Sequence, residues 1–214
     1  MGYSLKNKKI LITCGPTWVP IDAVRVVSNV SSGELGQRIA LDCVNAGAHV
    51  TLLEGPVARP LMSRSIRILK FCFLDELQRL LKQELRKNVD VVIHAAAVAD
   101  YKLKVPVRHK LSSEKKTLRL EFIATPKLIR IIKRAQPKTF LVGFKLEQNI
   151  TRESAHRKAK NLFRVADCDV VVANEVTARG YKGFILDKHN TISASAADRK
   201  RMSKALVRIL SERL

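Results

Sequence analysis

Short apolar runs alternate with amphipathic stretches along the chain. Residues 9–14 (KILITC), 49–54 (HVTLLE) and 90–96 (DVVIHAA) read as strands, with a further strand over 66–70. Between the first two, Leu35, Ile39, Ala40, Cys43 and Val44 fall on one helical face over 34–46, and Glu34, Gln37, Arg38, Asp42 and Asn45 take the other. Gly47 then ends the helix. Residues 75–87 predict a charged amphipathic helix. Further on, the pattern predicts a strand near 117–122, a helix over 126–135 and a strand over 139–143. A helix at about 151–164, a strand over 169–173, short strands near 183–193 and a helix over 196–212 complete it. Alternating strands and helices, with buried strands rich in Val, Ile, Leu and Ala, predict an α/β fold. The expected sheet is doubly wound, mostly parallel and Rossmann-like, in a single domain spanning 1–214. Ligands in such sheets sit beyond the carboxyl ends of the strands, so the loops after Cys14, Glu54, Ala96, Gly143 and Ala173 are where chemistry is expected.

One segment has no period. Residues 101–116 (YKLKVPVRHKLSSEKK) carry six Lys or Arg and one Pro, and read as a long loop or flap over about 102–117. Irregular segments of that length inside a compact domain are usually functional.

Charge sharpens the picture. The 214 residues include 40 Lys and Arg against 19 Asp and Glu, a formal net charge of +21. That field concentrates anions such as nucleotides, phosphorylated metabolites or nucleic acid, without choosing among them. No apolar run reaches the roughly 20 residues that span a bilayer, and the N-terminal stretch lacks the pattern of a signal peptide. Cys14, Cys43, Cys72 and Cys168 form no CxxC pair and lie in or beside apolar runs. They read as buried small hydrophobes in a reducing cytoplasm, with no structural metal.

Two segments carry candidate chemistry. Gly15 lies 18 residues before Gly33, the polar excursion between them holds Thr17, Asp22, Arg25, Asn29, Ser31 and Ser32, and Gly33-x-x-Gly36 opens the helix. Ser-Ser-Gly at a helix N-terminus offers hydroxyls and free N–H groups to a phosphate; alternatively Ser31 or Ser32 is a plain N-cap. The second segment is His94-Ala95-Ala96-Ala97-Val98-Ala99-Asp100-Tyr101. Its small residues admit close approach of a ligand, and Asp100 can accept from a ribose hydroxyl or else cap a turn. His94 reads as a packed core histidine.

These residues resemble the phosphopantothenate–cysteine ligase family. The match runs through Gly15-Pro16-Thr17, Ile21-Asp22, Val24-Arg25, Ser28-Asn29, Ser31-Ser32-Gly33 and Gly36, then Gly47-Ala48 and Gly55-Pro56. It continues through Ala95–Tyr101, Thr125-Pro126-Lys127-Leu128-Ile129, Leu141–Leu146 and Val171–Asn174, covering roughly residues 8–187. The chain looks like a bacterial-type, stand-alone ligase without the flavin-dependent decarboxylase domain. The resemblance implies that 4′-phosphopantothenate and L-cysteine are joined on the route to coenzyme A. The implied reaction uses CTP with Mg²⁺ and passes through an acyl-cytidylate, in a cytoplasmic homodimer.

By the same resemblance, Asn29 holds the acyl-nucleotide, and Arg25 and Ala96 belong to the phosphopantothenate site. Ser31, Ser32, Gly33 and Gly36 take phosphates, Gly15 and Thr17 belong to the nucleotide site, Asp100 contacts the nucleotide and Phe144 lines the base pocket. Lys110 acts at the α-phosphate from the flap. Lys160 and Arg164, four apart on one helix face, also touch the nucleotide, with Lys158 as the competing position. The chain departs from the family at Trp18 and Glu34, where basic residues are common. It departs again at Lys110-Leu111-Ser112-Ser113, where two flap lysines are missing and Arg108, Lys115 and Lys116 are the nearby substitutes.

Two other readings compete. In a nicotinamide-dependent reductase, Glu54 would be the ribose-binding acid, 18 residues after Gly36, although no G-x-G-x-x-G follows the first strand. A basic nucleic-acid-binding module fits the charge, but aromatics make up only 5% and leave no stacking platform, so no specific nucleic-acid partner is expected.

Overall fold

The computed structural model describes residues 3–105, 107–114, 116–178 and 180–214. The elements in chain order are β1 (Lys9–Cys14), β2 (Trp18–Pro20), β3 (Val26–Ser28), α1 (Glu34–Asn45), β4 (His49–Glu54), β5 (Arg67–Lys70), α2 (Leu74–Leu85), β6 (Val91–His94) and β7 (Tyr101–Leu103). They continue with β8 (Phe122–Ala124), α3 (Ile129–Ala135), β9 (Phe140–Leu146), α4 (Arg152–Ala166), β10 (Val170–Thr177), β11 (Gly180–Asp187), β12 (Ile192–Ala196) and α5 (Arg199–Arg213).

Among the described residues, eight strands form one sheet in the order β12-β11-β10-β9-β6-β1-β4-β5. β5, β4, β1, β6, β9 and β10 are parallel, and β11 and β12 add an antiparallel edge. The six parallel strands follow the Rossmann order, in which the chain leaves the centre first to one side and then to the other. The switch point falls between β1 and β6.

Alternation along β1 shows why both faces are covered. Ile10, Ile12 and Cys14 point into the core under α1 and α5, with Ile39, Cys43, Leu206 and Leu210. Leu11 points to the opposite core under α2, α3 and α4, with Leu77, Leu81, Ile132 and Ala159. Each fully buried Leu or Ile contributes about 1.5–3 kcal/mol, so a strand buried on both faces is apolar at nearly every position.

At α2, α4 and α5 a side chain accepts N–H groups at or just ahead of the helix start. Glu76 Oε2 takes the N–H of Cys72 at 2.7 Å and of Phe73 at 3.1 Å ahead of α2. Thr151 Oγ1 takes Ser154 N–H at 3.2 Å in α4, and Asp198 Oδ1 takes Arg201 N–H at 2.7 Å in α5. α1 differs: its N-cap is Gly33, at φ 71°, and no side chain caps it. Ser32 Oγ lies 3.4 Å from Glu34 N–H, a long and weak contact.

The excursion after β1 is not all loop. β2 and β3 pair as a small antiparallel hairpin, Trp18 opposite Ser28 and Pro20 opposite Val26. The strand expected near 117–122 lies instead at β8, antiparallel to β7 with Tyr101 opposite Ala124. The basic segment is therefore an excursion from a two-stranded stem, and Lys104 and Glu121 close its neck with an ion pair at 2.8 Å.

Gly36 faces the end of β1. A Cβ on it would lie 2.4 Å from Cys14 Cβ, so α1 can sit this close to β1 only with glycine there. Gly36→Ala is expected to destabilise the fold by about 1–3 kcal/mol through overpacking, a fall in Tm of at least about 3 °C. Calorimetry showing an unchanged Tm would mean that α1 moves away from β1 at no cost.

Candidate functional site

The site is built where β1 and β6 end. Thr13 pairs with His94, the last residue of β6, and the pairing continues past the strands. Ala95 N–H donates to Thr13 O at 3.0 Å, Ala97 N–H to Gly15 O at 2.9 Å, and Thr17 N–H to Ala97 O at 3.3 Å. Side chains add to this. Thr13 Oγ1 accepts from Ala96 N–H at 3.1 Å, and the buried Thr17 hydroxyl accepts from Ala99 N–H at 2.9 Å. The alanines are small because two backbones run side by side here.

Asn29 closes the far end of the excursion onto the same segment. Its Nδ2 donates to Ala97 O at 3.1 Å and Val98 O at 3.3 Å. The excursion is thereby folded back over the switch point, and a cleft of about 580 Å³ opens beside it. Its wall includes Asn29, Ser31, Ser32, Gly33 and Gly36 from the first segment, Ala96 and Asp100 from the second, and Phe144 from the end of β9. A second hollow of about 540 Å³ lies next to it, lined by Val27, Ser28, Tyr101 and Phe122. Asn29 and Asp100 line both. Volumes of this size suit small-molecule ligands.

The acids at the cleft are committed to cations. Glu34 lies 3.7 Å from Arg38 and 3.5 Å from Arg199, the first residue of α5. Its charge is offset within the cleft wall, and the repulsion it would exert on an anion is reduced. Asp100 is paired with Lys127. The uncapped N–H groups of α1 add positive potential at the same place.

Other candidates lie outside the cleft wall. Gly15 and Thr17 are buried beneath it, in the junction itself. Arg25 is paired with Asp22 at 2.6 Å in the β2–β3 turn, and that guanidinium, helped by the N–H groups of Val24, Leu111 and Arg25, holds the Asp22 carboxyl well below the usual carboxylate range. Lys110 is exposed on the flap. Lys160 and Arg164 are exposed on α4 and do not line the cleft, and Arg164 bonds Asn161 Oδ1 at 3.1 Å. Lys158, the competing position, is also absent from the cleft wall. It shares Glu147 with Lys145, a cleft residue, at 3.0 and 3.3 Å respectively. Sequence reasoning passed over Lys145, Asn174, Tyr181 and Arg199, all in the cleft wall. Arg199 opens a helix remote in sequence, and no motif marks it. Of the flap substitutes, Arg108 and Lys116 are exposed, and Lys115 lies outside the described residues.

Glu54 is not available to a ribose. Its buried carboxylate takes Gln37 Nε2 at 2.7 Å and Leu61 N–H at 3.1 Å, and pairs with Lys70. It braces the loop after β4, which removes the main support for the reductase reading. The four cysteines are free thiols. Burial raises the pKa of Cys43 and Cys168 to about 12, so both stay protonated at neutral pH. Among the described residues no three His, Cys, Asp or Glu gather as a metal site, and no helix is long and apolar enough to cross a membrane.

The fold and cleft define a Rossmann-like α/β protein with a cleft at its switch point. The chain belongs to the family described as the DNA/pantothenate metabolism flavoprotein C-terminal domain, whose model matches residues 5–212. It is 34% identical over 213 residues to the coenzyme A biosynthesis bifunctional protein CoaBC of Thermococcus kodakarensis, covering 99% of this chain and 51% of that protein. The Escherichia coli CoaBC is 32% identical over 191 residues, 86% of this chain and 45% of that protein. The chain thus spans about half the length of these curated relatives. A solved C-terminal domain of CoaBC superposes with a TM-score of 0.80 at 28% identity, covering 99% of this chain and 97% of that one. The fold is shared also by a Streptococcus pneumoniae DNA/pantothenate metabolism flavoprotein, with a TM-score of 0.86 at 23% identity over 97% of this chain and 100% of that one.

His94 lies under the junction, bonded to Thr13 Oγ1 at 3.0 Å, and burial lowers its pKa to about 4 from 6.5. Between those values the unfolded chain binds the extra proton, so stability is lost as pH falls from about 6.5 towards 4, by at most about 1.4 kcal/mol per pH unit. In His94→Gln that contribution disappears. Tm measured against pH is expected to fall less steeply over this window than in the wild type, and parallel curves would contradict the assignment.

Proposed function

We propose that the chain is a phosphopantothenate–cysteine ligase. It joins 4′-phosphopantothenate and L-cysteine through an acyl-cytidylate, cleaving CTP to CMP and pyrophosphate in coenzyme A biosynthesis. The observation that carries the reading is the double role of Asn29 and Asp100, each lining two adjoining hollows. Two substrates that must react with each other need two pockets with a common wall. Family membership and the names of the relatives support the same reading.

The chemistry needs placement and charge neutralisation more than a covalent group from the protein. A carboxylate oxygen of phosphopantothenate attacks the α-phosphorus and pyrophosphate leaves. The cysteine amine then attacks the activated carbonyl, and CMP departs with the former carboxylate oxygen while the amine loses a proton. The N-terminus of α1, with Ser31, Ser32, Gly33 and Gly36, receives phosphate oxygens. Asp100 and Phe144 hold the nucleoside, and Lys110 stabilises charge growing at the α-phosphate. Asn29 orients the acyl-nucleotide beside Ala96, and Arg25 supports the phosphopantothenate side.

Mg²⁺ fits as an ion carried in by the triphosphate, because Glu34 and Asp100 are already tied to cations and form no protein cage. It would neutralise the leaving pyrophosphate. The homodimer reading draws on the exposed Val26, Val27, Phe122 and Ile123 of the two small sheets. A cytoplasmic setting suits a chain with four free thiols.

The test is a quenched time course scoring pyrophosphate, acyl-cytidylate and final product. Wild type is expected to turn over with CTP and more slowly with ATP; equal or faster turnover with ATP would overturn the nucleotide assignment. Asn29→Asp removes a donor and adds charge beside a phosphate. It should release about one enzyme equivalent of pyrophosphate and then stall, with little coupling to cysteine. Wild-type product formation, or equal loss of both steps, would mean that Asn29 does not hold the acyl-nucleotide for attack by cysteine.

A further inference from the structure

Asp22 is the most heavily used carboxylate near the cleft, and no step of the ligation uses it. Its side chain is fully buried. Oδ1 accepts the N–H groups of Val24 at 3.0 Å and Arg25 at 2.9 Å, which shapes the β2–β3 turn. Oδ2 accepts Arg25 Nε at 2.9 Å and Nη2 at 2.6 Å. The remaining contacts of the pair reach across 86 and 89 residues of sequence to the flap. Leu111 N–H donates to Asp22 Oδ2 at 3.0 Å, and Arg25 Nη2 donates to Leu111 O at 2.7 Å. Both backbone groups of one flap residue are therefore gripped by one ion pair. Leu111 directly follows Lys110.

We propose that Asp22 and Arg25 form a latch that grips the flap through the peptide groups of Leu111 and so sets the position of Lys110. Asp22 is a positioning residue, acting through Lys110. The inference rests on the ligase reading for its kinetic consequence and on geometry alone for the latch. The chemistry suits a latch. Hydrogen bonds to charged groups are worth more than neutral ones. A grip on backbone N–H and C=O also leaves the flap side chains free to face a ligand. The contact holds one point of a long excursion, so the segments on either side can still adjust as nucleotide enters. Arg25 thereby serves two sides: the phosphopantothenate site assigned to it and the flap that carries Lys110.

All five groups that Asp22 meets are donors. Asp22→Asn leaves only one oxygen to accept and puts an amide donor against the others. Leu111→Pro attacks the latch from the flap side by removing the N–H that Asp22 accepts, with the β2–β3 turn intact. Leu111→Ala keeps both peptide groups and is the control.

Hydrogen exchange by mass spectrometry reads the flap directly, and single-turnover pyrophosphate release from CTP and phosphopantothenate reads its consequence. Asp22→Asn and Leu111→Pro should each speed exchange in peptides spanning 108–114 by about tenfold or more, while β1 and β6 stay protected. Both should lower the maximal rate of pyrophosphate release more than they raise KM for CTP, and Leu111→Ala should match wild type in both readouts. Unchanged flap exchange in Asp22→Asn, or faster exchange confined to the turn around 20–26, would overturn the latch. Faster flap exchange with undiminished pyrophosphate release would overturn the positioning of Lys110. If wild type releases no pyrophosphate with any nucleoside triphosphate, the ligase reading fails, and the exchange experiment still decides the latch.

Discussion

Everything at the cleft depends on the backbone pairing that joins the ends of β1 and β6 beyond the sheet. In a doubly wound fold the chain leaves these two strands in opposite directions, which opens a crevice between them. In this chain the crevice is bridged by Ala95 to Thr13, Ala97 to Gly15 and Thr17 to Ala97. The bridge needs small residues on one side and a left-handed turn at Gly15 on the other, at φ 77°. Once it is made, the buried Thr13 and Thr17 hydroxyls and the Asn29 amide have backbone partners within reach. The excursion that carries Ser31 and Ser32 is then held against the run of alanines.

Charge acts on top of this frame. The chain is strongly basic, yet a net charge of +21 spread over a surface does not make a site. What does is local: acids that would repel an anion are paired, Glu34 with Arg38 and Arg199 and Asp100 with Lys127. α1 meanwhile presents N–H groups that no side chain caps. The cleft wall therefore combines a helix N-terminus without a side-chain cap and acids whose charge is offset, an arrangement that favours an anion.

Much of this was legible in the sequence, for identifiable reasons. Strands buried on both faces announce themselves, and Lys9–Cys14 and His49–Glu54 stand where the apolar runs put them. The N-terminus of α1 was marked by Ser-Ser-Gly, although the cap proved to be Gly33 and neither serine. The β2–β3 hairpin was illegible because β3 is exposed at all three positions and carries no alternation. β8 was displaced for the same reason, its three residues being exposed. Helical spacing put Lys160 and Arg164 on one face, but spacing does not say which face meets the cleft. The ion pair of Lys158 with Glu147 is likewise not given by spacing. The contact of Asp22 with Leu111 had no sequence signal, because the flap contributes only peptide groups and any residue supplies those.

The central claim is that the cleft brings a carboxylate to the α-phosphate of a nucleotide and then delivers the resulting acyl group to an amine. Phosphopantothenate labelled with ¹⁸O in its carboxylate tests this directly, with unlabelled CTP, L-cysteine and Mg²⁺ and mass spectrometry of every product. One labelled oxygen is expected in CMP for each molecule of phosphopantothenoylcysteine formed, and none in pyrophosphate. Label appearing in inorganic phosphate, or product formed with unlabelled CMP, would contradict the claim.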